Sequence, residues 1–346
     1  MAQEGFLTPM LHKSGSTRST QGPCRHGTES SGQLWDDQLP WYKVVVLWLL
    51  RFGPIPSHIA VMPDGNRRYA ERTGAGLEHT YSAGTRLFTQ ASCWSFEAGV
   101  NRLTAFAFAP RHQKRNAFER DALFCQTIGT LTTSLQTLDK LKSLGLRIRS
   151  VGQVDLLPSG LRAELAELEA ATSDDPRERT CLACIGYSSR HQIVLAALDM
   201  AKGVKAGTIS SEDVTAEFLD AYVTDIECPD VDMLVRCAGR RLNDYMIMQS
   251  GYAYLNMNRK LWVDVSFWDW IWALLSYQLH WPRICKVKEK HLLQLASQSG
   301  MTDARRAHRQ RSFIKSLQVD RIAKTLDQMH EAHLLREGHD TRYDKI

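Results

Sequence analysis

Short apolar runs recur along the chain with longer amphipathic stretches between them. Ile59–Met62, Leu103–Ala109, Leu146–Val151, Cys181–Gly186, Met233–Arg236 and Tyr252–Met257 are each short, apolar and bounded by Gly, Pro or polar clusters, which predicts strands. Between them, Thr80–Ala98, Arg115–Leu144, Ser159–Ala171, Arg190–Lys205 and Ser211–Tyr222 place apolar residues at 3.6-type spacing with charged opposite faces, which predicts helices. Strands that alternate with helices imply an α/β domain with a six-stranded, mostly parallel sheet, its right-handed crossovers covering both faces. Phe267–His280, with Trp268, Trp270, Trp272, Leu274, Leu275 and Tyr277, predicts one more helix.

The two ends differ from this middle. Residues 1–39 are rich in Ser, Gly, Gln and Thr without apolar periodicity, the composition of a disordered lead-in. Trp41–Phe52 (WYKVVVLWLLRF) is strongly apolar but far short of the roughly 20 residues that span a bilayer. It reads as a core or interfacial helix: Trp41, Trp48, Lys43 and Arg51 at its edges suit shallow membrane contact, and packing onto the domain carries equal weight. Beyond Pro282 the chain turns basic and polar, with Arg305, Arg306, Arg309 and Arg311 close together. The expected organisation is a lead-in over 1–39, one globular α/β domain over 40–282 and a basic, helical C-terminal extension over 283–346.

Composition narrows the class. An apolar share of 43% supports a sizeable core. Lys plus Arg number 43 against 38 Asp plus Glu, a net charge of +5 that suits anionic substrates or an anionic membrane surface without pointing to nucleic acid. Eight cysteines show no disulfide spacing and no secretory signal is recognised, so reduced thiols in the cytoplasm are expected. The pair Cys181 and Cys184 lies inside the apolar run CLACIGY, where a buried structural role outweighs zinc or redox chemistry.

The chemistry concentrates in His58–Ala70, HIAVMPDGNRRYA. Pro63 ends the strand and Asp64-Gly65-Asn66 is turn chemistry opening a helix. Asp64 then sits at the C-terminal edge of a strand, where open α/β sheets place ligands. Unpaired N–H groups at the helix start and the guanidinium groups of Arg67 and Arg68 suit phosphate oxygens. An acid beside such a site calls for a hard cation, and Mg²⁺ is held by one or two carboxylates together with substrate phosphates.

The thirteen-residue string resembles the signature of the cis-prenyltransferases, the undecaprenyl and dehydrodolichyl diphosphate synthases, written H-x-A-x-x-M-D-G-N-x-R-[WY]-A. Pro63 stands between Met62 and Asp64 where the family writes Met directly before Asp. The resemblance covers roughly Trp41–Trp281 with its motifs in order. Phe108 to Arg115, then Glu119, is similar to Phe-Ser-x-Glu-Asn-x-x-Arg-x-x-x-Glu: Arg115 and Glu119 match, whereas Ala109, Arg111 and His112 replace Ser, Glu and Asn. Tyr187 to His191 resembles the Tyr-x-x-Arg segment, and Asp232 to Arg236 the Asp-x-x-x-Arg strand end whose arginine grips isopentenyl diphosphate. Further on, Arg241 and Asn243 take the places of a second arginine and a serine. The family's second metal carboxylate falls on Tyr254, and its histidine and arginine for the allylic diphosphate fall on Tyr81 and Leu77, with His79 nearby.

The resemblance implies Asp64 and Asn66 as catalytic residues, Asp64 as the Mg²⁺ ligand, and Gly65, Arg67, Arg68, Arg115, Arg236, Arg241 and Asn243 as substrate-binding residues. It implies isopentenyl diphosphate and an allylic diphosphate such as farnesyl diphosphate as substrates, a hydrophobic tunnel for the product, a homodimer or a heterodimer with a related subunit, and peripheral contact with the endoplasmic reticulum membrane. The expected activity is cis-condensation to a polyprenyl diphosphate of the dolichol type. The alternatives are a catalytically weak subunit of a heteromeric synthase, favoured by the altered motif positions, and a synthase of short nonstandard prenyl diphosphates.

Overall fold

A computed structural model describes residues 39–173, 179–298 and 304–338; apart from Leu39, the expected lead-in lies outside the described residues. In chain order the elements are α1 (Trp41–Leu50), β1 (His58–Met62), α2 (Asn66–Thr73), α3 (Leu77–Ala98), β2 (Arg102–Phe108), α4 (Ala117–Gln136), α5 (Leu138–Ser143), β3 (Leu146–Val151), α6 (Ser159–Ala171), β4 (Arg179–Ile185), α7 (Ser189–Ala206), α8 (Ala216–Tyr222), β5 (Met233–Cys237), β6 (Tyr254–Asn258), α9 (Phe267–Gln298) and α10 (Ala304–Gly338). The expected six-stranded α/β sheet is present and wholly parallel, in the order β3-β4-β2-β1-β5-β6.

β1 lies inside the sheet with every residue buried, the reason its sequence is an unbroken apolar run. The period-two alternation of the strands divides the core. Ile59, Val61, Leu103, Met233 and Val235 pack into one cluster, while Ala60, Met62, Phe106 and Leu234 pack into another, as opposite faces of a pleated sheet require. Cys181 belongs to the first cluster and Cys184 to the second. The two thiols therefore face away from each other, which excludes a shared metal or a disulfide and leaves the structural role.

Three helices depart from their predicted spans. The expected helix over Arg115–Leu144 starts at Ala117, where Asn116 caps it by accepting from the Glu119 N–H at 2.8 Å, and breaks at Thr137, whose hydroxyl donates back to the Thr133 carbonyl at 2.8 Å. Such back-bonding competes with the helical ladder. Ser211–Tyr222 begins as a 3₁₀ turn over Ser211–Asp213 before α8. The helix predicted to stop at His280 instead runs through Pro282 to Gln298; the proline removes one backbone donor without ending it.

The termini are tied to the domain. α1 buries Leu47 and Leu50 and leaves Trp41 and Trp48 exposed, as is Phe52 in the turn that follows it. α10 sets Phe313 and Ile314 into a cluster with Phe218 and Tyr222, and its Arg309 donates two hydrogen bonds to the fully buried carboxylate of Asp213, at 2.8 and 2.7 Å. Among the described residues, no helix is long and apolar enough to cross a membrane.

Candidate functional site

Two loops leave the C-terminal edges of adjacent strands and meet over one cavity. The first links β1 to α2 through Pro63, Asp64 and Gly65. Gly65 has φ +100°, and a Cβ there would lie 2.8 Å from a Leu261 methyl, so backbone conformation and space both require glycine. The turn brings the Gly65 N–H to 2.6 Å from Asp64 Oδ1. Trp262 fixes the same loop: its backbone N–H donates to the Asp64 carbonyl at 2.9 Å and its indole N–H to the Gly84 carbonyl of α3 at 2.8 Å.

Arg236, at the end of β5, reaches Asp64 because β5 is the neighbour of β1 and pairs Arg236 with Met62. Its side chain is 3% exposed. It donates to Asp64 Oδ2 at 2.8 Å, to the Arg241 carbonyl at 2.8 Å and to the Cys237 carbonyl. A Cβ on Gly239 would stand 2.4 Å from the guanidinium, so that glycine keeps the arginine's place open. Arg68 donates to the Ala238 carbonyl at 2.8 Å and lies 4.0 Å from Asp64 Oδ1. Burial opposes ionisation of Asp64, but the hydrogen bond and charge of Arg236, with the Gly65 N–H and Arg68, outweigh it and hold the carboxyl below its ordinary range. Asp64 is thus an anion at neutral pH.

The second loop links β2 to α4 through a 3₁₀ turn over Pro110–Lys114. The Ala109 N–H donates to His112 Nδ1 at 3.3 Å, and the His112 N–H to the Ala109 carbonyl at 2.8 Å. Burial, then the charges of Arg115 and Arg111, push the imidazole down to about 3, so His112 is a neutral clamp. Arg115 donates to the Tyr81 hydroxyl at 3.2 Å, and Glu119 Oε2 lies 3.5 Å from Arg67 and 3.9 Å from Arg115. Arg111 places its guanidinium 5.7 Å from the centre of the Phe106 ring.

The cavity has a volume of about 920 Å³. Charged groups gather at its mouth: Asp64, Glu71 and Glu119 with Arg67, Arg68, Arg111, Lys114 and Arg115. Its remainder is lined by residues such as Phe88, Leu123, Leu131, Ile148, Leu165 and Leu168. Threonines also line it, yet Thr89, Thr127 and Thr130 each donate their hydroxyl to a carbonyl one turn back, at 3.2, 2.8 and 2.9 Å. Polar letters on α3 and α4 therefore add little unsatisfied polarity to the lining. Asn66 lines the cavity with a buried Oδ1 that has no hydrogen-bond partner among the described residues, an acceptor open to a ligand or solvent donor.

Of the residues singled out in the sequence, Asp64, Gly65, Asn66, Arg67, Arg68 and Arg115 line this one cavity. Arg236 lies buried beside it, bonded to Asp64. Arg241 is exposed and meets Arg236 through its carbonyl. Asn243 adopts a left-handed conformation (φ 51°) with its amide 4.0 Å from Met62 Sδ. Tyr81 reaches the site, whereas His79 is exposed. Tyr254 stacks on His280 at 5.2 Å and brings no carboxylate. Asp232 braces the other end of β1, accepting from the Ser57 and His58 N–H groups at 2.9 and 3.1 Å. Sequence reasoning missed Gly84, Trp262 and Thr89 as parts of the site; the one signal was the threonine spacing at 85/89 and 127/130.

Asp64 is partly exposed, 44%, and its oxygens retain lone pairs beyond the bonds described. Among the described residues no group of three His, Cys, Asp or Glu gathers to hold a metal unaided. This donor set fits a Mg²⁺ shared between one carboxylate and substrate phosphates.

A model of the undecaprenyl diphosphate synthase family matches residues 62–284. A dehydrodolichyl diphosphate synthase complex subunit of Homo sapiens is 29% identical over 246 residues, covering 70% of this chain and 73% of the relative. An isoprenyl transferase of Heliobacterium mobile is 31% identical over 225 residues, covering 65% of this chain and 85% of the relative. In fold, the chain is similar to lavandulyl diphosphate synthase from Lavandula x intermedia, solved with dimethylallyl diphosphate: the TM-score is 0.58 at 24% identity, covering 64% of this chain and 95% of that one.

Proposed function

The chain belongs to the undecaprenyl diphosphate synthase family of prenyltransferases, and on that premise we propose that it condenses isopentenyl diphosphate in cis onto an allylic diphosphate such as farnesyl diphosphate, giving a polyprenyl diphosphate of the dolichol type. The observation that carries this reading is a single cavity with an ionised Asp64 among guanidinium groups at its mouth and an extended apolar lining behind them. A prenyl diphosphate has the same division: a strongly anionic head and an apolar tail.

The reaction separates the allylic carbon from its diphosphate, joins that carbon to the isopentenyl double bond and removes a proton. No covalent enzyme intermediate is required, so the chain's work is to position two diphosphates and offset the charge that develops on the leaving group. Arg67, Arg68 and Arg115 supply fixed positive charge at the mouth, and the opening of α2 supplies backbone N–H groups. Asp64 would hold Mg²⁺, which when bound would neutralise diphosphate charge. Arg236 keeps Asp64 ionised and oriented, with Arg241 and Asn243 shaping the loop that encloses it. The apolar lining serves as the product tunnel and excludes water from the reacting carbon.

The human relative is named as a subunit of a complex, which supports pairing with a second subunit, either a copy of this chain or a related one. Trp41 and Trp48, exposed on α1, and Phe52, exposed just after it, support peripheral contact of a cytoplasmic enzyme with the endoplasmic reticulum membrane. A second reading, a catalytically weak partner subunit, is favoured by Tyr254 and Tyr81 standing where the family places a carboxylate and a histidine. The deciding experiment is incorporation of radiolabelled isopentenyl diphosphate into extractable lipid by the purified chain with farnesyl diphosphate and Mg²⁺, products being sized by thin-layer chromatography. Labelled polyprenol is expected; no label from folded protein overturns self-sufficient synthesis in favour of the partner-subunit reading.

A further inference from the structure

The charges at the mouth of the cavity do not cancel one by one. Asp64 lies against Arg236 and Arg68, and Glu119 against Arg67 and Arg115. Arg111 faces the same mouth with no carboxylate within ion-pair distance among the described residues; its close neighbour is the face of Phe106. Partial desolvation lowers its basicity, Asp64 raises it, Arg115 and Arg236 lower it, and Asp244 raises it, so it lies within the field of the whole charged cluster. The residues lining the cavity include five cations, Arg67, Arg68, Arg111, Lys114 and Arg115, against three acids, Asp64, Glu71 and Glu119.

The turn that carries Arg111 is also held in place without a ligand. Ala109 and His112 clamp the 3₁₀ turn through both of their mutual hydrogen bonds, the Arg115 N–H closes it on the His112 carbonyl at 3.1 Å, and Pro110 restricts the backbone at its start. A guanidinium carried on a fixed turn at a cavity mouth, with no carboxylate in ion-pair distance among the described residues, is a forked donor matched to phosphate oxygens.

We propose that Arg111 is a diphosphate-binding residue that lets this cavity hold a diphosphate group without a divalent ion. The proposal rests on the prenyl-diphosphate reading of the cavity and adds to it a residue and a weaker requirement for metal. Arg111 supplies part of the positive charge that Mg²⁺ contributes when present, so its contribution to binding is largest when the metal is removed.

The test is calorimetric binding of inorganic pyrophosphate to the full chain in EDTA and in millimolar Mg²⁺, using wild type, Arg111→Gln and, as a control for net charge, Lys202→Gln on α7. Wild type is expected to bind in EDTA, Arg111→Gln to bind about tenfold or more weakly there but within about threefold of wild type in Mg²⁺, and Lys202→Gln to match wild type in both buffers. A loss below about threefold in EDTA, binding by wild type that requires Mg²⁺, or an equal loss in Lys202→Gln overturns the role of Arg111. Absence of pyrophosphate binding to wild type in both buffers overturns the reading of the cavity as a diphosphate site, and the role of Arg111 with it. Because Arg111 is exposed, folding of the variant is checked by its unchanged thermal midpoint.

Discussion

The two loops that form the cavity mouth solve opposite electrostatic problems. The β1–α2 loop presents an acid, Asp64, and surrounds it with Arg236, Arg68 and a backbone N–H. The β2–α4 loop presents a cation, Arg111, with no acid in contact among the described residues. An acid in a cavity meant for diphosphates must be kept charged and kept from repelling the ligand, and the buried Arg236 does both. On the proposed reading a cation there needs no such support, because a bound diphosphate would itself be the counter-ion. The same contrast explains their packing: Arg236 is enclosed by β1, β5 and the Gly239 turn, whereas Arg111 needs little more than a rigid turn beneath it.

The sharpest way to break the comparison is at Asp64. Asp64→Asn keeps an acceptor for Arg236 and removes the charge, so prenyl transfer should fall by on the order of 10²–10³-fold or more while the thermal midpoint changes little. Asp64→Ala should give the same loss of incorporation and a lower midpoint as well, because Arg236, 3% exposed, then loses the side-chain acceptor that asparagine keeps. Equal activity of Asp64→Asn and wild type in the label-incorporation assay would remove Asp64 from the chemistry.

Arg236→Gln should be next in size. It leaves Asp64 without its principal partner, so the KM for isopentenyl diphosphate should rise by about tenfold or more, and the carboxyl's pKa should move up toward its ordinary value. Steady-state kinetics and titration of the Asp64 carboxyl by NMR check the two effects separately.

A smaller and different effect is expected away from both loops. Ser134 is buried on α4 and lines the cavity. Ser134→Phe should shorten the product on a thin-layer plate while leaving the KM for isopentenyl diphosphate within about twofold, at an overpacking cost of about 1–3 kcal/mol in stability. A shift in KM without a change in product length would place Ser134 with the mouth rather than with the apolar lining.

The smallest effect concerns the clamp of the second loop. His112, half-buried, and His58, fully buried, are both neutral, pushed down to about 3 and about 4. In each case burial is the largest cause; for His58 it outweighs the Asp230 carbonyl, 2.8 Å from Nδ1. Below their unfolded pKa of about 6.5 the unfolded chain binds protons that the folded chain does not, so stability falls as pH drops from about 6.5 towards 4. His112→Asn should flatten part of that decline without shifting the midpoint at pH 8 by more than a few degrees. Thermal unfolding at pH 8, 6 and 5 measures both slopes, and an identical pH dependence in the variant would remove His112 as a contributor.

How far the sequence reaches differs from residue to residue. The order Met62-Pro63-Asp64-Gly65-Asn66-Arg67-Arg68 is one local piece of chain, and strand end, turn and helix start follow from its letters. The central strands were likewise readable, because burial on both faces leaves apolar runs that interrupt the helical pattern. Asn116 and Thr137 limited α4 through side-chain hydrogen bonds that an apolar periodicity does not register. The threonines of α3 and α4 looked polar and instead spend their hydroxyls on the preceding turn.

What the sequence by itself determined is therefore the set of local decisions: the alternation of strands and helices, the parallel sheet, and a cluster of acid, amide and guanidinium groups at one strand end. The tertiary structure decided which distant residues complete that cluster. Arg236 serves Asp64 because β5 lies beside β1 in a register that aligns it with Met62, a pairing across 172 positions that no local pattern encodes. Arg111 faces the same cavity because β2 flanks β1 on the other side. Short-range hydrogen bonding and burial are written residue by residue, whereas a binding site built at neighbouring strand ends depends on strand order, which is settled when the whole sheet forms.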